Sequence, residues 1–256
     1  MNREDYESST TNRHLATLKR ALRLAASWNI IDRVPKIKLL PDENQREFVL
    51  AREREREYLD ACPEFLRNWV TLAVETGMRR KELQSSKWAD VHFEPIGKAR
   101  CGNVHVCGTK SENSKPNLPL TATAQMVLLR QRQRQLSQCE YVFTMEDPTK
   151  PASVSAVNHC HERVREVLGL PREFVLHSLR HTFGTRLGAT GTDVFTIQRL
   201  MGHSSITVSQ RYVHPTPEIM ENAIPAQERA SQDFADRPDS PTNSPTVEPS
   251  ARAVIQ

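Results

Sequence analysis

The sequence predicts a mainly α-helical fold with one small antiparallel β-sheet, an α+β arrangement. Two observations predict it. Apolar residues recur at three- and four-residue steps through most of the chain, the spacing of a single helix face. That period gives way to alternation only between Val91 and Leu120, where Gly102 and Gly108 bound a short run and a polar turn follows.

The elements follow in order. Leu15, Leu18, Leu22, Ala25 and Ala26 place a helix over 12–29, which Ile30 to Pro35 ends, and Pro41 closes a linker. A second helical stretch, 43–62, alternates Arg and Glu, which reads as a solvated face. Phe65, Trp69, Leu72 and Ala73 make 64–75 an apolar-periodic helix, stopped at Thr76-Gly77, and 78–86 restarts as a helix. Val104 and Val106 alternate with polar neighbours, so 91–120 is expected to hold a hairpin or a three-stranded sheet. Helices are expected over 121–136 and 153–168, the second ended by Gly169. Three closely spaced helices follow at 177–187, 192–201 and 204–213, with Gly202 as a stop and Ser204 as the N-cap of the last. Beyond Ala226, Pro238, Pro241, Pro245 and Pro249 are interleaved with Ser, Thr, Asp and Glu, so 226–256 is expected to be a disordered tail.

Hydrophobic residues make up 38% and charged residues 26%, enough for a buried core under a heavily charged surface. The net charge is +4, but residues 226–256 carry five acids against three bases, which leaves residues 1–225 at +6. A basic body suits a polyanionic partner. The five cysteines, Cys62, Cys101, Cys107, Cys139 and Cys160, are odd in number and irregular in spacing, and the start of the chain is polar. These features lead us to expect a reduced, cytoplasmic protein without a disulfide framework. No stretch approaches the length of a membrane span, so no membrane partner is expected. Cys101, His105 and Cys107 lie in a strand-like run, and His159-Cys160-His161 is contiguous. The first group could suggest a metal site but for its strand-like setting, the second is not a ligand spacing, and no metal or other cofactor is expected.

Taken singly, the polar features are weak. His177 and Arg180 share a helix face at i,i+3, Arg79 follows Thr76-Gly77, and Tyr212 resembles any packing residue. Their combination is specific. Thr76-Gly77-Met78-Arg79-Arg80-Lys81-Glu82-Leu83 comes first, and Gly108-Thr109-Lys110 precedes Leu118-Pro119-Leu120. His177-Ser178-Leu179-Arg180-His181-Thr182-Phe183 and Leu200-Met201-Gly202-His203 follow, and Tyr212-Val213-His214 ends the series. From about Glu43 to Pro215 this order and spacing resemble the catalytic domain of the tyrosine recombinase, or phage integrase, family. The resemblance implies that family's DNA breaking-rejoining fold.

It also implies roles, residue by residue. Arg79 and Arg180 match the arginines that hold the scissile phosphate, Lys110 the hairpin lysine, His177 and His203 the two histidines, and Tyr212 the nucleophile. Glu82 matches an acidic position that supports the first arginine. The chemistry calls for such types. Attack on a phosphodiester adds negative charge to an anion, and two guanidinium forks can bind both non-bridging oxygens without a metal. A phenol needs help to lose its proton, for which His177 is the candidate, and the leaving 5′-hydroxyl needs a proton that Lys110 could supply. The hairpin departs from the family's pattern. It carries Ser111 to Asn117 without an arginine, and Lys115 is the alternative acid. His181, Arg186, Arg199 and Arg211 read as surface or packing residues, and His214 matches a recurrent position without an assigned role.

The resemblance further implies site-specific recombination or integration of double-stranded DNA by a homotetramer through a 3′-phosphotyrosine, in a nucleoid-associated protein. Two other readings are a catalytically silent DNA-binding remnant and a type IB-like topoisomerase. The expected organisation is a partial helical DNA-clamp domain and linker at 1–41, a catalytic domain at 42–225, and the tail. Within it, 216–224 is expected to form a helix against a neighbouring subunit.

Overall fold

A computed structural model describes residues 8–41, 48–95, 97, 99–106, 117–135, 138–145 and 147–213, with 221, 224, 225, 227–229, 231, 232 and 234 beyond them. The fold is mainly helical with a three-stranded antiparallel sheet, as the periodicity predicts.

Helix α1 (Ser8–Ser27) ends where Asn29 takes a left-handed φ of 55°. Its polar Asn12 is buried because it exchanges two hydrogen bonds with the linker. Its Nδ2 donates to Leu40 O at 3.0 Å, and Leu40 N donates to its Oδ1 at 2.7 Å. Helix α2 (Arg52–Ala61) starts later than the expected 43. Residues 42–47 lie outside the described residues, and 48–51 are not helical. At Leu50, side chains from a distant helix take the backbone groups a local helix would have used: Leu50 N donates to Thr182 Oγ1, and Arg186 donates to Leu50 O.

Helix α3 (Glu64–Thr76) is the centre of the core. Leu66, Trp69 and Val70 are essentially inaccessible, and Trp69 packs on Phe65 and Phe143. The short α4 (Arg80–Gln84) and a 3₁₀ turn (Trp88–Asp90) lead into the sheet. Strands β1 (Val91–His92), β2 (Asn103–His105) and β3 (Asn117–Pro119) pair in chain order. Val91, Val104 and Leu118 stand opposite one another and are all buried, so the register is fixed by the core face. Helices α5 (Ala122–Arg134) and α7 (Leu176–Ala189) pack on α3, and α6 (Val154–Val167) lies beside α2 and α3.

Helices α8 (Val194–Met201) and α9 (Ile206–Gln210) complete the described fold as a pair resting on α7. Asp193 caps α8. The cap of α9 is Ser205 rather than the expected Ser204, and α9 stops at Gln210, before Tyr212. Tyr212 lies in a turn whose backbone closes at i→i−3, with Tyr212 N donating to Ser209 O at 3.0 Å. Ile197, Met201 and Tyr212 form a second, smaller core against Phe183, Leu187 and Val213. The described residues between 221 and 234 are helical, and those from 227 onward fall in the stretch expected to be a disordered tail. The remainder of the tail and most of 216–224 lie outside the described residues.

Among the described residues no helix is long and apolar enough to cross a membrane, and no metal-ligand cluster occurs. His105 Nδ1 meets Asn117 Oδ1 across the sheet at 2.8 Å. His161 spends both ring nitrogens internally. Its Nε2 donates to Phe174 O, which leaves Nδ1 to accept from the Tyr58 hydroxyl at 2.6 Å. Burial lowers the His161 pKa and raises those of Tyr58 and Cys62, so this cluster stays neutral.

Candidate active site

Two glycine-terminated helices build the anion-facing part of the site. Gly77 ends α3 and Gly202 ends α8, both left-handed, with φ of 64° and 60°. Carbonyls at such ends lack intrahelical partners and sit at the negative pole of the helix dipole. Two arginines occupy these ends. Arg180, only 4% exposed, donates to Gly77 O at 2.7 Å and to Met201 O. Arg79 donates to Gly202 O. Met78 and Arg79 are not helical, and Arg79 is extended, because Glu82 Oε2 takes the Arg79 backbone N–H at 2.7 Å and starts α4 there. Glu82 Oε1 accepts from the Arg79 guanidinium at 2.7 Å, and Oε2 lies 4.0 Å from Arg180. One buried carboxylate thus holds both cations in register.

Helix α7 arranges the rest. Residues 177, 181, 184 and 188 recur at three- and four-residue steps, with Arg180 beside them. His177 stands at an exposed edge, and its ring meets His181 edge-on at 5.0 Å. Surrounding protein, then the charges of His181, Arg180, Arg79 and Arg80, lower its pKa to about 4. Desolvation, then Arg180, Arg79 and Arg211, lowers His203 to about 4 as well. Desolvation, then Arg79, brings Arg180 down to about 10, which leaves it charged at neutral pH. At pH 7 Arg180 therefore remains a cation, and His177 and His203 are neutral.

Tyr212 is 7% exposed and nested among these groups. Its ring stacks on His203 at 6.2 Å, and His203 Nδ1 meets the buried Ser209 hydroxyl at 2.8 Å. Its hydroxyl meets His181 Nδ1 at 2.8 Å. A β-carbon on Gly184 would come within 2.9 Å of the Tyr212 ring, and one on Gly188 within 1.7 Å of the Tyr212 carbonyl oxygen. Both glycines are needed for Tyr212 to lie this close to α7.

The structure thus brings together Arg79, Glu82, His177, Arg180, His203 and Tyr212. Lys110, Lys115 and His214 lie outside the described residues. One contact was not expected. The side chain at the Tyr212 hydroxyl is His181, whose place in the sequence reads as surface or packing, while His177 is the base expected from the resemblance. The available signals were the i,i+4 spacing of the two histidines and the two glycines inside a helix, each unfavourable there by about 1 kcal/mol unless something approaches closely. Beside the site, a cleft of about 510 Å³ is lined by Arg79, Arg80, Lys81, Glu82, Arg165 and His177, among others.

The model of the phage integrase family matches residues 48–218, a span that holds every described member of this cluster. The chain belongs to the phage integrase family. Among its relatives, the integrase of Salmonella phage P22 is 27% identical over 220 residues, 82% of this chain and 54% of that protein. The tyrosine recombinase XerC of Pediococcus pentosaceus is 29% identical over 168 residues, 62% of this chain and 53% of that one. The chain spans about half the length of these curated relatives. Among solved structures, the Tn1549 transposon integrase in complex with circular intermediate DNA matches with a TM-score of 0.71 at 20% identity, covering 86% of this chain and 80% of that one. A lambda integrase dimer bound to a core site matches with 0.59 at 23% identity, covering 81% and 59%. These likenesses show that the phage integrase catalytic fold is the fold of this chain.

Proposed function

We propose that this chain recombines DNA site-specifically by cutting and rejoining strands through a covalent 3′-phosphotyrosine at Tyr212. The observation that carries this reading is Tyr212, stacked on His203 and within electrostatic reach of the buried Arg180, which shares Glu82 with Arg79. In this reading Arg79 and Arg180 bind the non-bridging oxygens of the scissile phosphate, and Glu82 keeps the two forks aligned. His177 and His203 hydrogen-bond the phosphate. The Tyr212 oxygen attacks phosphorus, the bond to the 5′-oxygen breaks, and Lys110 protonates that oxygen as it leaves. The ester keeps the bond energy, so a second 5′-hydroxyl reverses the step without ATP. The basic cleft beside Arg80 and Lys81 receives the duplex backbone. Residues 42–225 form the catalytic unit, residues 1–41 contribute to gripping the duplex, and a homotetramer on double-stranded DNA brings two sites together in the cytoplasm.

The test uses a library of nicked duplexes with randomised centres. Cleavage beside the nick releases a short fragment and strands the enzyme on the DNA. Covalent complexes that survive denaturant are captured and sequenced. The reading predicts adducts with a shared sequence, absent in Tyr212→Phe. Retention of DNA without any adduct would leave a binding protein and contradict it.

A pH dependence follows. His177 and His203 are neutral in the free protein, with pKa values near 4. A phosphate placed against them favours their protonated forms and raises both values. Binding therefore takes up protons, and affinity rises as pH is lowered from neutral toward 4. Calorimetry in buffers of different ionisation enthalpy should show this uptake, reduced in His177→Asn. Binding without proton uptake would contradict the placement of the phosphate.

A further inference from the structure

The hydrogen bond between Tyr212 and His181 has no place in the roles above. A phenol has an ordinary pKa near 10 and attacks phosphorus well only as its proton departs, which requires an acceptor within about 2.6–3.2 Å. His181 Nδ1 lies at 2.8 Å. The contact is set by packing on three sides: the Tyr212 ring lies against Gly184, its carbonyl against Gly188, and its other face on His203. His181 itself sits one turn beyond His177 on the same helix, with the rings edge to face.

We propose that His181 is the group that takes the Tyr212 proton during strand cleavage. His181 starts with hydrogen on Nε2 and a lone pair on Nδ1. As the Tyr212 oxygen bonds to phosphorus, its proton passes to Nδ1 and His181 becomes an imidazolium. The 5′-oxygen leaves with its electron pair and takes its proton from Lys110. In rejoining, a 5′-hydroxyl attacks and gives its proton back to Lys110, the Tyr212–phosphorus bond breaks, and the proton on Nδ1 returns to the tyrosine.

The inference rests on the function proposed above, and the experiment separates the two. Duplexes recovered from the library are cut under single-turnover conditions by wild type, His181→Ala and His181→Gln, and DNA affinity is measured in parallel. Gln can hold the tyrosine hydroxyl but cannot take its proton. Both variants should bind DNA as wild type does and form adduct about 10²–10⁴-fold more slowly. Added imidazole should restore part of the rate in His181→Ala and none in Tyr212→Phe. A wild-type rate in either variant overturns the inference and leaves the function standing. Slow cleavage in both without imidazole rescue makes His181 a positioning residue and also overturns it. No adduct with wild type overturns the function and the inference together.

Discussion

Arg180→Ala is expected to slow strand cleavage by about 10³-fold or more, because one side chain supplies both charge and geometry. Loss of a single preorganised donor to a developing oxyanion costs about 10²–10³-fold, and a guanidinium offers several donors. The same change should destabilise the fold. Arg180 is buried and bridges Gly77 O at the end of α3 to Met201 O at the end of α8. Its removal leaves two helix-end carbonyls without that partner, at about 1–3 kcal/mol for each that stays dry. Arg180→Lys separates the two effects. Lysine keeps the charge but cannot hold two divergent acceptors in one plane, so it should fold closer to wild type and still lose about 10²-fold or more in rate. Thermal unfolding beside single-turnover cleavage checks both. Wild-type cleavage by Arg180→Lys would contradict the role given to the fork.

Gly188→Ala is expected to have the second-largest effect, with a sign opposite to helix propensity. In an exposed helix, alanine in place of glycine stabilises by about 1 kcal/mol. Here its β-carbon would come within 1.7 Å of the Tyr212 carbonyl oxygen, a backbone atom that cannot rotate away. The turn carrying Tyr212 must lift from α7, and a misplacement of about 1 Å costs roughly 10²-fold in rate. DNA affinity should change little, since Arg79 and Arg180 stay in place. Gly184→Ala is the graded comparison. Its β-carbon would approach the Tyr212 ring at 2.9 Å, so the adjustment is smaller. Equal cleavage by Gly188→Ala and wild type would show that Tyr212 works from a position away from α7.

Much of this site is legible in the sequence because each residue type sits beside local punctuation. Gly77 and Gly202 mark helix ends, and Arg79 and His203 follow them within two residues. His177 and Arg180 declare one helix face by their spacing. The α+β fold was likewise readable from the change of period at Val91. What the sequence does not reveal depends on long-range packing. Nothing near His181 says that its ring meets a tyrosine 31 residues later. Local pattern extended the last helix through Tyr212, whereas the chain leaves α9 at Gln210 and lays Tyr212 against the glycines of α7. The late start of α2 has the same origin. Thr182 and Arg186 on α7 bind the backbone of Leu50, and the acid that completes this clamp, Glu55, lies within an Arg-Glu run that reads as plain surface.

In the proposed reaction the chain joins itself to DNA through one oxygen atom, that of Tyr212. The adduct captured from the nicked-duplex library can be trimmed with nuclease and protease, and the peptide carrying the residual nucleotide sequenced by tandem mass spectrometry. A nucleotide linked through its 3′-phosphate to Tyr212 is expected in wild type, and no such adduct in Tyr212→Phe. A nucleotide on any other residue, or an adduct of undiminished yield in Tyr212→Phe, would contradict it.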